Sequence, residues 1–276
     1  MDVEGFWELV ESSARETTSR KERVGWLEER LSRLPVKEVV DYQAWFTLCA
    51  NRACTWDMYA VCWTVAGSGS SDGFEYFVDW LISLGRETFE KITGCPDRIL
   101  ELPEVQRLFE LSRTYCHERT SVSEDGAFRL LRLTRVRLQY WPNEDWPEFE
   151  SFAYVACEAY QRITGVEDAH PYDAVQARGI TRVFPFLSNR AQPEGEEWDF
   201  GDGAEFERRL PRLAHHYATG NELQPATPWP DSPGWGPTRA WEFCRNGAGD
   251  RCVRRQRLHF FAPNFAWVAM DRDSAV

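Results

Sequence analysis

The sequence predicts an all-α protein: one multi-helix domain over residues 1–217, followed by a proline-rich, largely irregular C-terminal tail over 218–276. Three observations predict it. Apolar residues recur every three or four positions through most of the first 217 residues, the period of a helix with one buried face. Glycine, proline and capping residues interrupt that pattern at helix-length intervals. After Ala218 the period disappears, and Pro225, Pro228, Pro230, Pro233 and Pro237 alternate with glycines.

Each element can be justified in order. Val3 to Thr17 sets Phe6, Trp7, Leu9 and Val10 against Glu4, Glu8, Glu11 and Arg15, an amphipathic helix. Arg20 to Leu34 repeats the arrangement with Val24, Leu27, Leu31 and Leu34, and Pro35 ends it while suiting the first turn of the next helix. Val36 to Asn51 carries Val39, Val40, Tyr42, Trp45, Phe46 and Cys49. Trp56, Tyr59, Trp63 and Ala66 make Asp57 to Ala66 a buried helix, broken by Gly67-Ser68-Gly69-Ser70-Ser71. Asp72, with Glu75 three residues on, reads as a capping box opening a helix that buries Phe74, Phe77, Val78, Leu81 and Ile82 and stops at a left-handed Gly85. Arg86 to Thr93 is a short helix closed by Gly94 and Pro96, and Pro103 to Glu118 is another.

Between Thr120 and Trp146 the signal is mixed. Phe128 to Leu138 alternates in part like a strand, yet its Leu and Arg content suits a helix, and the reading leans to helix or irregular chain. From Trp146-Pro147 a strong helix runs through Phe149, Phe152, Ala153, Ala156, Cys157, Tyr160 and Ile163 to a stop at Gly165. Residues 166–200 read as loop lying on the helices. Ala204 to Tyr217 is the last helix, with Phe206, Leu210, Leu213 and Tyr217 inward. In the tail, Leu258 to Met270 is apolar enough either to dock on the domain or a partner, or to have no structure of its own.

Bulk properties narrow the function classes. The 276 residues suffice for a sizeable core, and 14% of them are aromatic, including 13 Trp. A formal charge of −12 and a pI near 5.0 disfavour nucleic acid and anionic membrane as partners. No apolar run has a bilayer-spanning length, and Asp2 and Glu4 carry the wrong charge for a signal peptide, so the expectation is a soluble cytoplasmic protein with reduced cysteines. The eight cysteines form no C-x-x-C pair; His215-His216 and Cys116-His117 are adjacent residues that point apart on a helix, so no metal and no cofactor are expected. The glycine-serine turn has no Walker lysine and no preceding strand, and reads as a structural turn rather than a phosphate cradle.

FWELVE at Phe6 to Glu11, TWDMYA at Thr55 to Ala60, SSDGFEYFVDWLISLGRETFE at Ser70 to Glu90, AYVACEAYQRITG at Ala153 to Gly165 and EEWDFGDGAEFERRLPRLAHHY at Glu196 to Tyr217 together resemble the bacterial family catalogued as domain of unknown function 4240. The resemblance implies an all-helical, soluble, mostly actinobacterial group with no accepted activity, so it carries over no catalytic residues. Two departures stand out. The Gly-Gly-Cys that usually precedes the family's Ser-Asp-Asp-Gly turn is here Gly67-Ser68-Gly69-Ser70-Ser71-Asp72-Gly73, with no cysteine and one acid fewer. The tail after Tyr217 has no counterpart in the family.

The candidate site is acidic. Asp72, Glu75 and Asp79 fall at i, i+3 and i+7, one stripe of a helix, and Asp57 lies on the preceding helix, so four carboxylates are placed to converge near the turn. Converging carboxylates share a proton or hold a divalent cation. The structural reading makes Asp72 and Glu75 caps, and Asp79 either solvated or paired with Arg86. The expected function is a non-enzymatic helical binding or regulatory module whose acidic surface meets a protein partner. The alternative is an enzyme with a carboxylate-lined pocket near residues 57–79, a divalent-cation-assisted hydrolase.

Overall fold

The computed structural model describes residues 1–66, 70–114, 123–125, 128–130, 144, 146–187 and 189–220. Twelve α-helices stand among them, in an all-α arrangement. The opening three are α1 (Val3–Glu16), α2 (Arg20–Ser32) and α3 (Val36–Ala53). Then come α4 (Trp56–Ala66), α5 (Ser71–Ser83) and α6 (Arg86–Gly94), a 3-10 turn over Pro96–Glu101, and α7 (Pro103–Thr114). The second half holds α8 (Glu150–Ala153), α9 (Val155–Thr164), α10 (Pro171–Gln176), α11 (Gly203–Arg209) and α12 (Pro211–Gly220). The apolar tail patch at Leu258 to Met270 lies outside the described residues.

Local chemistry starts the first helices where the sequence puts their caps. Asp2 accepts a bond from the Gly5 amide at 2.8 Å, and Ser19 accepts one from the Glu22 amide at 3.2 Å while Glu22 reaches back to the Thr18 amide at 2.9 Å. These side chains fill amides that have no partner inside the helix. At the far end of α9, Gly165 adopts the left-handed conformation, φ +67°, which a side chain would strain.

Helix α5 is the centre of the core. Phe74, Phe77, Val78, Leu81 and Ile82 are fully buried, and burial of each such side chain contributes about 1.5–3 kcal/mol. Tyr59 of α4 stacks on Phe74 at 4.8 Å, and Phe184 and Phe186, from the connection between α10 and α11, meet Phe74 edge-on at 5.2 and 6.5 Å. Helix α9 packs on α2 and α3, and α10 on α3. Two arginines of α2 tie distant backbone to that helix, Arg20 across the two halves and Arg23 within the first. Arg20, at the start of α2, donates to the carbonyls of Trp146 (2.6 Å) and Glu148 (2.5 Å), and Arg23 donates to those of Val10 and Ser83.

Several sequence expectations need correction. Asp72 is not the cap of α5: the helix begins at Ser71, and Ser70 accepts the Gly73 amide at 2.9 Å. Gly85 has positive φ (+95°), but its ψ of 168° is extended rather than left-handed helical, and it serves as the entry to α6. The helix expected from Trp146 begins at Glu150, with Tyr154 separating α8 from α9. The single helix expected over Ala204–Tyr217 is two, because Pro211 lacks an amide proton and its ring clashes with the preceding turn, so it opens α12 instead. Phe128–Leu130 is a strand, paired antiparallel with Ser123–Asp125, where helix or irregular chain was expected. Trp80 is buried in the core, whereas Trp63, expected on the buried face of α4, is only half-buried.

Candidate functional site

The helical period does place Asp72, Glu75 and Asp79 along one stripe of α5, and that stripe descends into the protein. Asp72 is exposed, Glu75 is 7% exposed and Asp79 only 1%. Glu75 therefore does not cap the helix; it forms an ion pair with Arg182. Asp79 is neither solvated nor paired with Arg86, which bonds Glu4 and Glu90 instead. One oxygen of Asp79, Oδ2, is buried without a hydrogen-bond partner among the described residues.

Arg182 comes from the irregular connection after α10, and its backbone is fixed on both sides. Asn51 of α3 donates to the Thr181 carbonyl at 2.7 Å and accepts the Val183 amide at 3.0 Å, and Asn189 donates to the Phe184 carbonyl at 2.7 Å. Phe184 and Phe186 anchor the same segment in the core. The guanidinium lies over the ring of Tyr172 at 4.7 Å. Beside it, the Tyr76 hydroxyl donates to Glu150 at 3.0 Å, and the Phe149 amide donates to the Tyr76 carbonyl at 2.9 Å, which ties α8 to α5.

Burial dominates the electrostatics here. It pushes the Asp79 carboxyl well above the ordinary range; the charges of Glu75 and Glu150 add to that rise, and Arg182 opposes it. Burial also raises Glu75, against the pull of Arg182. Tyr172 and Cys157 rise for the same reason. The result is a deep carboxyl that keeps its proton far into the range where an ordinary carboxyl is ionised, one helical turn from a carboxylate held against a guanidinium. Such a pair can exchange a proton or recognise a cation.

The structure does not bring Asp57 into this group. Its carboxylate accepts the Trp198 indole N–H at 3.0 Å and pairs with Arg209 at 3.4 Å, fastening the α11 end of the chain to α4. Among the described residues no three His, Cys, Asp or Glu side chains are grouped to hold a metal ion. Sequence reasoning missed Arg182, Tyr172 and Glu150. The available signal was a lone arginine among the apolar residues of Thr181-Arg182-Val183-Phe184-Pro185-Phe186.

Two surface hollows lie away from the acids. One, of about 430 Å³, is lined by Leu100, Pro211, Arg212, His215 and His216. The other, of about 200 Å³, runs between α1, α3 and α6 and is lined mainly by Trp7, Trp45, Leu48, Cys49 and Phe89, with Arg52 and Glu90 at its rim. Burial raises the Cys49 thiol to about 12, so it remains protonated and inert there. No described helix is long and apolar enough to cross a membrane.

A family model described as protein of unknown function (DUF4240) matches residues 1–162, more than half of the chain. The chain belongs to the DUF4240 family. The match takes in α1 to α8 and nearly all of α9, and with them Asp72, Glu75, Asp79 and Glu150. Tyr172 and Arg182, which close the site, lie beyond it, as does the block from Glu196 to Tyr217. No curated protein and no solved structure matches the chain.

Proposed function

We propose that this DUF4240 protein is a cytoplasmic, non-enzymatic helical binding module that uses the groove between α1, α3 and α6 to hold an apolar protein segment flanked by Lys or Arg. The observation that carries the reading is the hollow itself, about 200 Å³ between three helices, where exposed Leu48 lies beside half-buried Trp45 and Cys49. Leu48, 40% exposed, stands in it, whereas Tyr154, Val166 and Leu187, the other exposed large apolar residues among those described, line neither hollow. Apolar grooves with charged rims suit the apolar face of a partner helix or strand. The charge of the partner follows from that of this chain, which carries 38 acids against 25 Lys and Arg through residue 220. Buried thiols at Cys54, Cys62 and Cys157 suit a reducing compartment.

Photo-crosslinking in the native cell tests this reading. A benzophenone side chain at position 52 should give one discrete adduct, mapped by mass spectrometry to an apolar segment with flanking basic residues, and Leu48→Glu should abolish it without changing the melting temperature. The same probe at Val166 should give no such adduct. Identical adducts from both positions, or an adduct indifferent to Leu48→Glu, overturn the reading.

A second reading, carboxylate catalysis of hydrolysis, is favoured by Asp79, whose costly burial suits a proton donor beside the Glu75 base. A panel of nitrophenyl esters, phosphates and glycosides, with and without divalent cations, tests it. Turnover lost in Asp79→Asn supports this reading; turnover unaffected by that change removes it.

A further inference from the structure

In the run from Leu258 to Met270, LHFFAPNFAWVAM, only His259 and Asn264 are polar. Water disfavours such a run, so a surface that covers its rings stabilises the chain. Just ahead of it, residues 251–257 hold Arg251, Arg254, Arg255 and Arg257 and no acid. Residues 221–276 as a whole carry 7 Arg against 6 acids, where residues 1–220 carry 25 Lys and Arg against 38 acids. The tail therefore holds the chemistry that the α1/α3/α6 groove calls for, an apolar stretch edged by arginines, and it is opposite in charge balance to the domain that bears the groove. The seat fits in size as well. Exposed Leu48 and half-buried Val3, Trp45 and Cys49, with buried Trp7 and Phe89, line a hollow of about 200 Å³, room for one large ring, the usual anchor of a peptide in a groove. Phe260, Phe261, Phe265 and Trp267 supply such rings. The larger hollow suits this segment less, because Arg212, His215 and His216 line it. Reach is ample. Between Gly220, where α12 ends, and Leu258 lie 37 residues, which span up to about 130 Å when extended. A domain of the size of residues 1–220 has a radius of gyration of only about 17 Å.

We propose that the segment Leu258 to Met270 docks into the α1/α3/α6 groove of its own chain, one of its rings filling the hollow, and so competes with the partner segment. The tether presents it at about millimolar effective concentration, far above that of second copies in a micromolar solution, which favours the intramolecular seat. A partner must displace the tail, so the tail sets the affinity below which a segment does not bind. Such regulation rests on the hollow being a binding groove, as proposed above.

Crosslinking of the purified full chain tests this. With benzophenone at position 52 and protein at about 1 µM, irradiation should join that position to residues 258–270 within a monomer, as mapped by mass spectrometry. A tail variant with Phe260→Ser, Phe261→Ser, Phe265→Ser and Trp267→Ser should cut the yield about tenfold or more, as should Leu48→Glu. A synthetic peptide of residues 251–270, followed by fluorescence anisotropy, should bind the tail variant about tenfold or more tighter than the wild type, whose own tail competes. No tail adduct, an adduct confined to crosslinked dimers, or peptide binding no tighter to the tail variant overturns the proposal. An absent tail adduct beside a partner adduct in the native cell that Leu48→Glu abolishes removes the tail as occupant and leaves the groove reading standing; absence of both adducts removes the two together. The peptide measurement changes nothing within residues 1–220, so it decides even if Leu48→Glu does not fold.

Discussion

Glu101 and Asp79 are carboxylates of one acidic chain held at opposite extremes. Glu101, in the 3-10 turn, accepts from Arg98, Lys91 and Arg212, and these bonds, with Arg98 foremost, hold its carboxyl far below the usual range. Asp79 sits in the core with one oxygen unpartnered, and burial first, then the charge of Glu75, holds it far above that range. Near the surface, the number of cations in reach sets the character of an acid, and the gain is small because water competes. In the core, loss of water outweighs everything but a close cation, and the one nearby, Arg182, bonds Glu75. Net charge therefore says little about where acid chemistry resides: the crowded carboxylate is inert and the isolated one is poised.

The largest expected effect breaks the buried side of this comparison. Arg182→Ala strands Glu75 without its cation, and chemical denaturation should show a loss on the order of 3 kcal/mol, the low end for a broken buried pair because Arg182 is partly in water. Asp79→Asn comes next, with the opposite sign. The folded-state pKa of Asp79 is raised, so the stability associated with this group is fully present below the unfolded carboxyl value of about 3.9 and is lost as pH rises toward the folded value. Over that window the wild type loses stability with a slope approaching about 1.4 kcal/mol per pH unit from this one proton. The asparagine variant lacks this loss, so it should match the wild type near pH 4 and melt at a higher temperature at pH 7.5. A variant no more stable at pH 7.5 would mean that Asp79 ionises at little cost.

Smaller effects sharpen the contrast at the helix entry. Ser70→Ala should cost about 1 kcal/mol as a lost cap, while Asp72→Ala should cost well under half of that, reversing the roles that the capping box assigned. Smallest of all, Glu101→Gln should barely move the melting temperature, and the little it moves should vanish in 0.5 M NaCl, although this carboxylate has three cation partners.

Much of this was legible in the sequence. The period of Phe74, Phe77, Val78, Leu81 and Ile82 named the inward face of α5, and the same arithmetic put Asp72, Glu75 and Asp79 on one stripe. The capping box was misread because Ser70 and Asp72 both precede the apolar run, and only the backbone shows which of them stands outside the helix. Asp57 was misassigned because neighbouring helices were assumed to bring their acids together, whereas Trp198 and Arg209, more than 140 residues away, claim it. Arg182 could not be paired with Glu75 from the sequence, since the two stand 107 positions apart and the chain between them carries no record of their contact.

By itself, then, the sequence determined the helices, the inward face of the central one and the line along which its acids lie, because those depend on contacts within a few residues. Only the tertiary structure decided how deep each acid lies. That depth depends on what covers the stripe, and the cover is built from α8, Tyr172 of α10 and the Asn51-held loop of Arg182, elements distant in sequence that turn three equivalent carboxylates into one in solvent, one paired and one buried.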